Sequence, residues 1–356
     1  MKKRLATLLS LTLILCLLAG CVGTPVVYNC TEDHSATDTP TDGPTEVLTE
    51  APVAGALKTG LAITASVAKS ENAVQADYDV TMVAVLVDDA GIIRDCIIDG
   101  IAAKCAFDAS GAITTDLTAP VQTKNELGEN YGMVAWGGAK YEWNVQAEAL
   151  AQYAVGKTVE ELKNGAINEQ GKAPEGSDLA STATIYLGGY VAAIEKAVAN
   201  AKSLGAQAGD TLKLASINSL SSSTGATEEG NGTAQLDCDV TALTEKDGVI
   251  TGCYIDSLQA KVSFDTTGTI TTDITAPVQT KNELGENYGM VAWGGAIAEW
   301  DAQAASFASY VTGKTADEVQ GIAVNEKTAP AEADLAASVT IAIGGFQRLV
   351  LKALEG

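Results

Sequence analysis

"TAPVQTKNELGENYGMVAWGGA" occupies residues 118–139, and the same letters return unchanged at 275–296. The repetition extends on both sides. "IIRDCIIDGIAAKCAFDASGAITTD" (92–116) aligns with "VITGCYIDSLQAKVSFDTTGTITTD" (249–273), and "GKTVEEL" (156–162) with "GKTADEV" (313–319). Each copy is about 150 residues, enough for a core of its own, so the pattern is a duplicated domain and not a solenoid of short units. The boundary is expected near Ser203–Gly209, giving a first copy at 59–205 and a second at 206–356.

Within a copy the hydrophobic period changes in a fixed order. "DYDVTMVAVLV" (77–87) and "IIRDCII" (92–98) are β-branched runs joined by "DDAG", the pattern of a β-hairpin. A second, shorter pair is expected at 102–107 and 112–116 around "DASG", and a further strand at 60–68, matched by 210–217. Helical spacing follows. Trp143, Ala147, Leu150, Ala151 and Ala154 form one apolar stripe, repeated by Trp300, Ala304, Phe307, Ala308 and Val311. Both tryptophans read as core. Gly156 and Gly313 end that helix, and Thr158 with Glu161, like Thr315 with Glu318, fits a capping box for the next one. A last amphipathic helix carries Tyr190, Ile194 and Ala197, echoed by Phe346, Leu349, Val350 and Ala353. Strands first and helices after them predict an α+β domain, present twice.

The chain opens with Lys2, Lys3 and Arg4, an apolar run from Leu5 to Leu18, then Ala19, Gly20 and Cys21. That reads as a secretory leader, 1–20, too short to span a bilayer with margin. "LAGC" at 18–21 closely resembles the lipobox of bacterial lipoproteins. The resemblance implies cleavage before Cys21 and lipidation of Cys21, with the body held on the extracytosolic face of the cell membrane. Residues 21–58, rich in Thr, Pro, Asp and Glu, are expected to form a solvated acidic tether.

Removal of residues 1–20 takes away Lys2, Lys3 and Arg4 and moves the formal net charge from −23 to −26. So acidic a surface repels phosphate backbones and argues against nucleic acid as a partner. The only histidine, His34, lies in the tether, so histidine triads and histidine-based metal sites are excluded from the folded part. Cys30, Cys96, Cys105, Cys238 and Cys253 remain after lipidation, an odd count that argues against a complete disulfide framework. Cys238 and Cys253 flank a turn expected at Lys246–Gly248 and fall within diagonal reach. Tyr78 aligns with Cys238 in the first copy, so buried free thiols are the expectation.

Three features together resemble the FMN-binding domain of extracytosolic electron-transfer proteins. They are the opening hairpins "VTMVAVLVDDAGIIRDCIID" and "VTALTEKDGVITGCYID", the Gly-Lys-Thr segment, and a closing motif before the last helix. In that family the motif is Asp-x-x-Ser-Gly-Ala-Thr, and its threonine carries FMN in a phosphoester bond made by a flavin transferase. Here it corresponds to "DLASTAT" (178–184) and "DLAASVT" (334–340). Asp178, Ser181, Ala183 and Thr184 agree, with Thr182 in the glycine's place; in the second copy Asp334 and Thr340 remain in register. The resemblance implies FMN as cofactor, covalent at Thr184 or Thr340 or held non-covalently, and redox proteins as partners.

The repeated "KNELGENYGMVAWGG" is expected to be a long irregular segment between sheet and helices, where scaffolds place sites. On a functional reading Tyr131 and Trp136, with Tyr288 and Trp293, offer aromatic faces to the flavin ring, and Lys124 or Lys281 meets its phosphate. On a structural reading the loop packs over the sheet edge and its identity records a recent duplication. Two functions follow: a membrane-anchored flavin electron carrier, or a cofactor-free duplicated binding or structural lipoprotein. Hydrolysis ranks behind both, since no carboxylate pair is singled out by spacing.

Overall fold

The computed structural model describes residues 55–355. The leader at 1–20, Cys21, Cys30, His34 and most of the tether expected at 21–58 lie outside the described residues. The last tether residues belong to the fold. Leu57 is buried and its N–H donates to the Ala206 carbonyl at 2.9 Å, and the first strand opens at Lys58.

The first copy runs β1 (Lys58–Ser66), β2 (Gln75–Val87), β3 (Ile93–Ala106), α1 (Lys124–Leu127), α2 (Trp143–Ala154), α3 (Val159–Ala166), α4 (Asp178–Thr182) and α5 (Gly188–Ala199). The second runs β4 (Thr211–Ser219), β5 (Gly232–Lys246), β6 (Val249–Phe264), α6 (Lys281–Leu284), α7 (Met290–Gly294), α8 (Trp300–Val311), α9 (Ala316–Gln320), α10 (Ala333–Ala336) and α11 (Gly344–Glu355). Each set of strands makes an antiparallel sheet, ordered β1-β2-β3 and β4-β5-β6. The fold is α+β, twice over.

The strands expected at 92–98 and 102–107 are one continuous β3. The Asp99-Gly100 step between them reads as a break, but the Asp99 carboxylate accepts the N–H of Gly100 at 2.7 Å and of Asn125 at 3.1 Å, and the ladder passes through. Segment 112–116 is no strand and contributes one bridge, Ile113 to Phe107.

The sheets lie face to face, β1 against β6, β2 against β5 and β3 against β4. Alternation along a strand explains how: Tyr78, Val80, Met82 and Ala84 meet Leu236, Cys238, Val240 and Ala242, whereas Val83 and Val85 face α2 and α5. Burial on both faces is why β2 is apolar without a break from Met82 to Val87, whereas Gln75–Thr81 alternates. The outer faces are covered by the helices, giving α/β/β/α layers. Reciprocal contacts tie the copies. Ala73 N–H donates to Gly268 O at 2.7 Å and Ala226 N–H to Gly111 O at 2.8 Å. Lys196 pairs with Glu283 at 2.7 Å, and Lys352 with Glu126. An internal pseudo-two-fold axis relates the halves.

Cys96, Cys105, Cys238 and Cys253 are buried free thiols. Cys238 faces the opposite sheet and Cys253 faces the helices, so no disulfide joins them. The counterpart of Cys238, paired with Leu258, is Val80, paired with Ile101, and not Tyr78. The second hairpin turn is one residue shorter, which shifts an alignment made on sequence alone.

Candidate functional site

The repeated stretch is more ordered than its composition suggests. Thr123 and Glu126 form a capping box: the Thr123 hydroxyl accepts the Glu126 N–H at 3.1 Å and the Glu126 carboxylate accepts the Thr123 N–H at 2.8 Å. That box starts α1, and a 3-10 turn over Gly128–Tyr131 follows, ending on Gly132 in the left-handed region, φ +81°. The spacing T-x-x-E was the available signal. Thr280 and Glu283 repeat it.

After Gly132 the chain makes a tight turn that presents Trp136, with 82% of its surface exposed; its counterpart Trp293 is 90% exposed. Gly132 is required there twice over, by its φ and because a Cβ would stand 2.3 Å from the indole. The turn is fastened from inside. Glu142, buried at the head of α2, accepts the N–H of Met133 at 2.8 Å and of Val134 at 3.0 Å, and Glu299 does the same for Met290 and Val291.

One turn further along α2, the fully buried Gln146 holds the closing motif. Its Oε1 accepts the Thr184 N–H at 2.8 Å, the Thr184 hydroxyl at 3.1 Å and the Ile185 N–H at 3.1 Å, while its Nε2 donates to Tyr141 O at 2.8 Å. Gln303 makes the matching set to Thr340 and Ile341. Thr184 and Thr340 are exposed and lie on loops outside any strand. Asp178 opens α4, and the Ser181 hydroxyl donates to Asp178 O at 2.6 Å. Lys140, just past Trp136, reaches Ser181 O at 3.2 Å. The tryptophan turn and the Thr184 segment are thus both fastened to the start of α2, the one through Glu142 and the other through Gln146.

Lys124, Tyr131, Lys281 and Tyr288 lie beneath this surface. Lys124 is buried, 3.3 Å from the Asp79 carboxylate, and its ammonium stands 5.0 Å over the Trp143 ring and 5.6 Å from that of Tyr131. Lys281 lies 4.7 Å over Trp300 and 5.2 Å over Tyr288. Burial first, then the Asp79 charge, pushes the Tyr131 phenol up. These contacts fill the cation's surroundings with aromatic faces and, for Lys124, a carboxylate. Sequence reasoning missed Gln146, Gln303, Glu142 and Glu299. Their signal was a polar residue inside the buried arc of a helix, or at its head, kept in both copies while neighbours drifted.

The residues fit FMN in part. Thr184 offers an exposed, positioned hydroxyl and Trp136 an exposed indole, but Lys124 is committed to Asp79 and cannot also meet a surface phosphate. Among the described residues no group of His, Cys, Asp and Glu suits a metal ion, and no helix is long and apolar enough to cross a membrane. No family model, curated protein or solved structure matches this chain.

Proposed function

We propose that the chain is a membrane-tethered extracytosolic flavin carrier, anchored through Cys21 and bearing FMN on the surface at Thr184. The observation that carries this reading is the placement of the Thr184 hydroxyl, exposed on a loop whose backbone Gln146 fixes, with the turn that presents the exposed Trp136 fastened to the same helix through Glu142. A transferase needs such access, and a stacked ring needs such a face. Thr184 would hold the phosphate, Trp136 would cover one side of the ring, and the Gln146 bracket would keep both in register. Bound flavin supplies the one- and two-electron chemistry. Thr340, Gln303 and Trp293 repeat the arrangement in the second copy.

A second reading, a cofactor-free binding or structural module, is favoured by Lys124. Its burial against Asp79 and Trp143 is what a packing residue does.

The test is secretion of the full chain together with a flavin transferase, followed by absorbance in the flavin bands and in-gel fluorescence after denaturation. Fluorescence that survives unfolding, falls in Thr184→Ala and disappears when Thr340→Ala is added supports the carrier. Colour lost on unfolding keeps FMN and rejects the bond. A colourless protein that ignores added FMN leaves the binding module.

A further inference from the structure

The seam between the two copies is open on one side. Beside β6 lies a cleft of about 840 Å³, walled by Ala199–Leu204, by β6 at Cys253–Asp256 and by α8. In the first copy a cleft of about 520 Å³ is lined by Asn125, by α2 and by Thr182, with no residue of β3. Where Ala302, Ala305 and Ser309 of α8 line the larger cleft, α2 carries the bulkier Val145, Glu148 and Gln152.

The wall formed by β6 is a sheet edge. The Tyr254 carbonyl turns inward, accepting the Thr241 hydroxyl at 3.1 Å, and the Ile255 carbonyl turns outward, accepting Asn282 Nδ2 at 3.0 Å. Strand alternation then directs the N–H and C=O of Cys253 and the N–H of Ile255 out of the sheet toward the cleft. None of the three has a hydrogen-bond partner among the described residues. The first copy closes the same position, because the Cys96 N–H donates to the Asp95 carboxylate at 2.8 Å. Gly252 stands where Asp95 would be, so the second copy lost its cap and its cover together.

We propose that the second copy binds an extended, basic peptide segment of a partner protein by strand addition to β6 at Cys253–Ile255. An uncapped edge supplies main-chain hydrogen bonds, and the small side chains of α8 leave room for the added strand. The charge of the walls selects the partner. Glu283 at the cleft is paired with Lys196, but Asp256 and Asp301 line it with no ion pair among the described residues, and the one cation of the lining, Lys202, has its ammonium 4.4 Å over the Tyr254 ring. No residue of the flavin reading takes part, so the proposal stands apart from it.

The probes are fluorescein-labelled Ac-KVTVKV-NH2, its acidic counterpart Ac-EVTVEV-NH2, and the basic peptide with its central amides N-methylated, each titrated against the full chain by anisotropy. The basic peptide is expected to bind at least about tenfold more tightly than either of the others, since charge and main-chain donors are both required. The triple variant Ala302→Val, Ala305→Gln, Ser309→Gln carries side chains of the size the first copy tolerates, and should lose binding with an unchanged melting temperature. On the wild-type chain, hydrogen exchange should show the Cys253 and Ile255 amides protected by the basic peptide. Equal binding of the acidic or N-methylated peptide, undiminished binding by a folded triple variant, or unprotected β6 amides would overturn the proposal. So would full displacement by spermine alone, which would make the cleft an amine site.

Discussion

Phe107 and Phe264 stack with ring centroids 4.0 Å apart and planes 2° from parallel. They are the same residue in the two copies, so their contact places them on the internal two-fold axis, at the ends of β3 and β6. Close parallel stacking is not what free aromatic pairs prefer, so the surrounding sheets impose it. Both rings are buried in the core that the two sheets share.

Phe107→Ala and Phe264→Ala should therefore each cost about 3–5 kcal/mol. The loss should fall on both copies at once, in a single urea transition followed by circular dichroism and by tryptophan emission. Separate transitions for the two probes would show that the halves are independent domains.

The cross-copy ion pair makes the opposite case. Lys196 and Glu283 are 2.7 Å apart, but both remain about one-third exposed, at 28% and 34%. Exposed pairs contribute under about 1 kcal/mol and fade with salt. Glu283→Gln should shift the urea midpoint slightly at low salt and not at all in molar NaCl. A loss comparable to that of the phenylalanines would mean that charge, not the apolar sheet interface, joins the copies.

Tyr78 carries a cost the fold could shed. Its hydroxyl is buried between the sheets with no hydrogen-bond partner among the described residues. Burial first, then Cys105 and Asp237, drives its phenol well above the ordinary range. An unsatisfied buried hydroxyl costs about 1–3 kcal/mol, so Tyr78→Phe should raise stability by about 1 kcal/mol. Destabilisation by Phe would reveal an unseen partner for the oxygen.

The duplication, the α+β class and the principal helices were legible because period and capping signals are local. Trp143 and Trp300 could be read as core from one apolar stripe each. What local pattern cannot give is the partner of a face. The run Met82–Val87 was read only as half of a hairpin, and the structure shows that it is covered on both sides, on one of them by the other copy. For the site, Thr184 and Trp136 were identified, and the segments that carry them are both fastened to the start of α2. Gln146, which holds the Thr184 loop, looked like one more polar residue on a helix. Lys124 misled for a related reason: a lysine in a loop reads as free until Asp79 appears beside it.

Gln146 is thus a positioning residue that can be examined without flavin. Gln146→Ala removes the one acceptor shared by Thr184 and Ile185. Water can reach this exposed loop, so the global loss should stay within about 1–3 kcal/mol. Hydrogen exchange at the Thr184 and Ile185 amides should accelerate far more than at the amides of α2. Unchanged exchange at these two amides would mean the loop is held by something else.

Asp256 gives the fold a pH dependence whose sign is fixed. Burial beside the seam raises its carboxyl from the usual 3.8 to about 6, against the hydrogen bonds of the Thr280 hydroxyl and the Asn282 and Ser257 N–H groups. The folded state then binds more protons than the unfolded state between these values, so stability increases as pH falls through 6 and the gain is complete below the unfolded value. The difference corresponds to about 3 kcal/mol. Asp99, its first-copy counterpart, is shifted the same way by burial and adds to the trend. Urea midpoints should thus decline from pH 4.5 to pH 7 in the wild type, and less steeply in Asp256→Asn, which accepts the same N–H groups without a charge. Parallel profiles for the two proteins would show that Asp256 stays ionised throughout, solvated by the cleft it lines.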